Sequence, residues 1–175
     1  MSILPEAAKQ YIGMTSEKEV ACDPVESGAA RRYAQAIMDE DPIYGASGDA
    51  HKQYGGPVAP PFLPTHMVRR PLGAPDPIQE HAKDPDFDGI GATAAQGLPE
   101  IKPLEGMSLL NGGSEVEFYR YARHGETITV QSRYLDISEK ETSKGAIILV
   151  VIESDYCGTD GSPIVKVRRT QIRRK

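Results

Sequence analysis

Alternation of apolar and polar residues is cleanest in the last third of the chain. Ser114 to Tyr121 (SEVEFYRY) and Thr127 to Ile137 (TITVQSRYLDI) send side chains to two faces in turn, the period of a half-buried strand. Ala146 to Tyr156 (AIILVVIESDY) is apolar enough for a central strand, and Pro163 to Ile172 closes the series. Arg123-His124-Gly125-Glu126 and Gly158-Thr159-Asp160-Gly161 read as turns, and Ser138 to Lys144 as a charged turn.

The pattern upstream is mixed. A short helix over 3–13 tolerates Pro5 at an early position, where the missing N–H is harmless. Glu17 to Cys22 (EKEVAC) predicts a first strand. Asp23-Pro24 breaks the chain, and Glu26 or Ser27 starts a helix running to Met38. Ala29, Tyr33 and Ile37 give that helix an apolar stripe at i, i+4 and i+8. Asp41-Pro42 ends it, because the residue before proline is pushed towards extended geometry. Gly55-Gly56-Pro57 is a turn before a buried helix, which Pro60, Pro61, Pro64 and Pro71 confine to about Leu63–Arg70. Arg69 and Arg70 then sit at its C-terminal end, where cations complement the dipole. Gly73 to Gly106 holds five prolines and five glycines with weak periodicity. Ile78 to Lys83 allows one helical turn there, and a loop of this length reads as a flap or lid.

Composition narrows the class. The chain has 175 residues, enough for one domain over 1–175 with a full core. The formal net charge of −5 gives no reason to expect a nucleic-acid partner. No run approaches the roughly 18 apolar residues of a spanning helix. The N-terminus lacks a basic region ahead of an apolar core, so no signal peptide and no membrane partner is expected. Cys22 and Cys157 stand apart without C-x-x-C spacing, which fits a reduced, cytoplasmic setting. The four histidines show no metal-ligand spacing, so neither a metal nor a bound cofactor is expected.

The chemistry lies between Arg32 and Leu63. Ala36, Ile37, Met38, Asp39, Glu40, Asp41, Pro42, Ile43 and Tyr44 are followed by Gly55, Gly56, Pro57, Val58, Ala59, Pro60, Pro61 and Phe62. This stretch resembles the site-forming segment of MaoC-like (R)-specific enoyl-CoA hydratases, whose motifs run A-x-x-G-D-x-N-P-I-H and then G-G-P-I-A-H-G-M. The spacing matches without a gap. Asn111 to Phe118 and Gly125-Glu126 also resemble the second strand and the G-D turn of these domains. The resemblance implies an α+β hot-dog fold, a five-stranded antiparallel sheet wrapped round a central helix, with 73–106 as an insertion.

Two replacements set this chain apart. The catalytic pair implied by the resemblance is Asp39 and Tyr44, but Tyr44 stands where the hydratases carry histidine. A phenol of reference pKa about 10 remains protonated where an imidazole exchanges protons. Pro61 stands where a helix-start glycine offers its N–H to the thioester carbonyl, and proline has none. Losing one such donor costs roughly 2.7–4 kcal/mol of transition-state stabilisation. The pattern resembles the N-terminal half of the FAS1-like dehydratases, which pairs with an intact half.

The implied function is an accessory subunit of a heteromeric enoyl-CoA hydratase or 3-hydroxyacyl thioester dehydratase. Gly56, Val58, Pro61, Phe62 and His66 would line its acyl pocket. The substrate is a coenzyme A or acyl carrier thioester, and the partner is a second MaoC-like hot dog or a second copy. A homodimeric acyl-CoA-binding protein and a homodimeric dehydratase or thioesterase with altered residues are the alternatives. Asp39 is a water-orienting carboxylate or its remnant, and Tyr44 packs with a satisfied hydroxyl. His66 is expected to be a core histidine near the cavity, whereas His81 and His124 in loop and turn carry no argument. Gly48-Asp49 with His51 imitates the motif at the wrong spacing. Lys166, Arg168, Arg169, Arg173, Arg174 and Lys175 either steer coenzyme A phosphates or guard an edge strand.

Overall fold

A computed structural model of the chain describes residues 2–45, 50–86 and 97–174. Its frame is one antiparallel sheet of five strands in the order β1-β3-β4-β5-β2. The strands are β1 (Glu19–Val20), β2 (Ser108–Phe118), β3 (Ile128–Thr142), β4 (Gly145–Gly158) and β5 (Pro163–Arg174). The most apolar segment, β4, is the middle strand, and the sheet-rich α+β architecture is that of a hot dog. The expected charged turn over 138–144 is instead mostly strand. β3 pairs with β4 out to Thr142↔Gly145, and Gly145 adopts φ 104 to reverse the chain.

One face of β4 presents Ile148, Val150, Ile152 and Tyr156, all buried. Two layers cover this face. Helix α2 (Ser27–Ala36) and the segment around Ala59 and Leu63 pack over Ile128, Val130, Tyr156, Val165 and Val167. Leu4, Ala8, Leu98, Ile101 and Leu104 cover Tyr134, Ile137, Ile148, Val150 and Ile152. Within the region 73–106, Leu98, Ile101 and Leu104 are buried in the core, 87–96 lie outside the described residues, and α5 (Pro77–His81) forms a short turn capped by Asp76.

Several helices differ from expectation for local reasons. The first is the single turn α1 (Glu6–Lys9), after which Gly13 turns at φ 88 and donates its N–H to Tyr134. β1 is shorter than the alternation of 17–22 suggests. The buried stripe of α2 is Ala30 and Ala34, one position on from Ala29 and Tyr33, and Ile37 is exposed. A short helix α3 (Ala50–Tyr54) follows the 39–45 corner. The central helix is the single turn α4 (Leu63–His66) rather than a helix reaching Arg70. Beyond it Met67 turns extended, the Val68 carbonyl accepts the Cys22 N–H at 2.8 Å, and Arg69 pairs with Glu19 at 2.8 Å. Among the described residues, no helix is long and apolar enough to cross a membrane.

The outer face of the sheet carries a ladder of charges. Glu153 is buried, yet Arg133 donates to its Oε1 at 2.6 and 3.0 Å and Arg168 to its Oε2 at 2.7 Å. Arg168 also donates to Glu117 at 2.6 Å, and Lys166 lies 3.4 Å from Asp155. Lys166 and Arg168 of the C-terminal basic tract are thereby neutralised within the sheet. Lys175 lies outside the described residues.

Burial pushes the Glu153 carboxyl up, but hydrogen bonds from Arg168 and Arg133 outweigh it and hold the group below its usual range. A carboxylate with a depressed folded pKa stabilises above its unfolded value of about 4.3 and loses that contribution as pH falls further. Glu153→Gln is expected to cost about 2 kcal/mol at pH 7, because its arginines keep access to water, and to flatten the loss of stability below about pH 4. Urea unfolding at pH 7 and pH 3.5 measures both effects.

Candidate functional site

The site grows from the end of α2. The Met38 N–H donates to Gln35 and the Asp39 N–H to Ala34, a reversal that places Met38 at φ 58. This left-handed conformation is the reason glycine precedes the aspartate in the hydratase motif, and a side chain there is strained. The Asp41 carboxylate accepts the Ile43 N–H at 3.0 Å and caps a 3-10 turn over Pro42–Tyr44. That turn brings Tyr44 back beneath Asp39.

Asp39 and Tyr44 meet directly. The Tyr44 hydroxyl donates to Asp39 Oδ2 at 3.0 Å, and the Asp41 N–H donates to Oδ1 at 3.3 Å. Tyr44 is only 7% exposed, packed with Ala34 and Val58 and edge-on to Tyr121. Burial first, then the bond to Asp39, pushes its phenol far above the ordinary tyrosine range. The hydroxyl therefore donates to the carboxylate and does not exchange its proton near neutrality.

A cavity of about 480 Å³ opens beside this pair, lined by Ser27, Arg31 and Gln35 of α2, by Asp39, Asp41 and Tyr44, and by His124. Sequence reasoning set His124 aside as a turn residue. Four backbone bonds bring it in: Gly125 donates to Val25, Val25 to Glu126, Ala59 to Ala122, and His124 to Pro57. The usable signal was the neighbouring Gly125-Glu126 turn, which resembles the G-D turn of the hydratases.

The five expected pocket residues, Gly56, Val58, Pro61, Phe62 and His66, do not line this cavity. Val58 is buried under Tyr44, and Phe62 is exposed at the start of α4. His66 is exposed rather than in the core, because α4 ends at its own position. Its Nδ1 lies 3.0 Å from the Phe62 carbonyl, and the ring stacks obliquely on Tyr33 beside a smaller cavity of about 170 Å³. At the start of α4 the three prolines among residues 60–64 lack an N–H, only Phe62 and Leu63 carry one, and Leu63 donates its own to Pro60. Gly48 and Asp49 lie outside the described residues, and His51 has no described side chain. Among the described residues no cluster of His, Cys, Asp or Glu is arranged to hold a metal.

Fold and corner together define a dehydratase-type hot dog. A family model for the FAS1-like dehydratase domain region matches residues 10–167, and the chain belongs to that family. The fold is similar to that in the ChsH1-ChsH2 complex from Mycobacterium tuberculosis, with TM-score 0.69 and 21% identity over 97% of this chain and 90% of that one. It is also similar to the R-hydratase PhaJ1 from Pseudomonas aeruginosa, with TM-score 0.56 and 14% identity over 94% and 82%. A third is C-terminally truncated HadBC, a 3R-hydroxyacyl-ACP dehydratase complex from Mycobacterium tuberculosis, with TM-score 0.55 and 16% identity over 93% and 96%. A search of curated proteins found no match.

Two substitutions test the corner. Met38→Gly relieves the left-handed strain and is expected to stabilise by about 1 kcal/mol, raising the melting temperature by roughly 2–4 °C. Tyr44→Phe removes the donor to Asp39 and is expected to cost about 1.5 kcal/mol. Calorimetric melting of the two variants checks both.

Proposed function

We propose that this chain is the accessory hot-dog subunit of a heteromeric MaoC-like enoyl-CoA hydratase or 3-hydroxyacyl thioester dehydratase. The observation that carries this reading is the Asp39–Tyr44 bond, in which a buried phenol occupies the carboxylate that an imidazole would share in the hydratases. Pro61 adds to it by withholding an amide from the start of α4. The partner would supply the intact acid–base pair and add water across a trans-2-enoyl thioester, hydroxyl to C3 and proton to C2. This chain would contribute one wall of the acyl pocket, through the cavity beside Asp39 and Tyr44. Two of the similar structures are of complexes, which supports a partnered form. The separate free thiols Cys22 and Cys157 agree with a reducing, cytoplasmic setting.

His124 in the cavity favours a second reading, a homodimeric dehydratase or thioesterase that uses a different imidazole. One assay separates the two. The purified chain is incubated with crotonyl-CoA, alone and with a hot dog bearing an intact G-D-x-N-P-x-H motif, and both hydration and thioester hydrolysis are followed. No turnover alone and turnover with the partner is the expected outcome. Turnover by the chain alone, abolished by Asp39→Ala or His124→Ala, would overturn the accessory role.

A further inference from the structure

We infer that the free edge of β2 selects its partner strand by charge, accepting an edge strand with Lys or Arg on the outer face and disfavouring a second copy of itself. The inference rests on the reading of the chain as a subunit of a heteromer, and it concerns which chain completes the sheet.

β2 ends the sheet, paired with β5 on one side only. Its unpaired main-chain groups make it a template for another strand. The two faces of this edge differ. On the inner face Val116 and Phe118, opposite Val167 and Val165, continue the apolar layer beyond its cover and are 39% and 43% exposed. On the outer face stand Glu115 and Glu117, opposite Arg168 and Lys166. Arg168 is committed twice, through Nε to Glu153 and through a terminal nitrogen to Glu117, and Lys166 lies against Asp155. Glu115 forms no ion pair among the described residues. The apolar pair invites a neighbour, while the charge at the rim is in surplus and negative.

Self-pairing makes that surplus costly. The bulge between Asn111 and Ser114 divides β2, and Val116 and Phe118 lie in the half from Ser114 to Phe118. Two copies related by a two-fold axis keep Val116 and Phe118 on one shared face only when residues of like facing meet. Centred on Val116, such a pair sets Glu115 against Glu117 twice. Centred on Glu117, which sets Val116 against Phe118 twice, it sets Glu117 against its own copy, and centred on Glu115 it does the same to Glu115. Like charges directly opposite one another destabilise an antiparallel pair, and opposite charges stabilise it. A strand bearing Lys or Arg at these positions turns the repulsion into attraction with the apolar contact unchanged.

Three forms of the full chain test this by sedimentation equilibrium at low and high salt: wild type, Glu115→Gln/Glu117→Gln, and Glu115→Lys/Glu117→Lys. The neutralised form is expected to self-associate about tenfold more tightly than wild type, whose self-association strengthens with salt. The lysine form stands in for a basic partner. Its mixture with wild type is expected to associate about tenfold more tightly than either alone, and this association weakens with salt. Because Glu117 also holds Arg168 and Tyr119, circular dichroism confirms folding, and Glu115→Gln alone repeats the measurement with that contact intact. A wild-type dimer indifferent to salt and to neutralisation, or a mixture no tighter than its components, overturns the inference. Catalysis by the chain alone would instead defeat the accessory role and leave the association result standing.

Discussion

The turn over 123–126 holds the molecule together at its functional end. Backbone bonds from residues 122–126 reach Val25 ahead of α2 and Pro57 and Ala59 ahead of α4, so both covering elements are fixed to the one connection between β2 and β3. The Glu126 carboxylate secures the turn from within, accepting the Arg123 N–H and two bonds from Arg120, which also reaches Ser162 on the next hairpin. Burial alone would raise the Glu126 carboxyl, yet Arg120 keeps it below its usual range. Space beside Glu126 is so tight that a Cβ on Gly158 would lie 2.8 Å from its oxygen. A side chain at 158 would displace the Glu126 carboxylate that Arg120 and the Arg123 N–H hold.

From this anchor the chemistry follows by short steps. α2 is positioned, its end reverses through Met38, and the Asp41 cap returns Tyr44 under Asp39. Tyr121 then meets Tyr44, Tyr54 and Phe118 edge-on, with centroids 5.0 to 6.5 Å apart, and links the carboxylate corner to the open edge of β2. Aromatic packing of this kind is stiff and apolar, suited to holding a wall and unsuited to moving protons. Corner and edge are thus parts of one cluster, and the edge where another strand can pair lies next to the site.

The proline-rich stretch explains the other departure from a complete hot dog. Pro60, Pro61 and Pro64 remove three amide donors from the start of α4, and the chain already turns extended at Met67. A single turn cannot cover the whole sheet, and the far half of the inner face would lie bare. Leu4 and Ala8 from the N-terminus and Leu98, Ile101 and Leu104 from the far end of the glycine-rich region fill that gap. One consequence is that a segment rich in Gly and Pro, ordinarily surface loop, supplies core residues.

The sequence by itself determined the strands, the identity of β4 as their centre, the helix before the site and the alignment of Asp39 and Tyr44, because each is written in local periodicity or fixed spacing. It also contained the glycine-to-Met38 replacement, legible only once the left-handed turn was seen. Tertiary structure alone decided that His124 lines the cavity while His66 does not, that Ala30 and Ala34 rather than Ala29 and Ile37 form the buried stripe, and that 98–104 is core. Each of these depends on contacts between segments far apart in the chain. A residue's own neighbours record its preference for helix or strand, but burial and proximity are set by whichever distant surface needs covering.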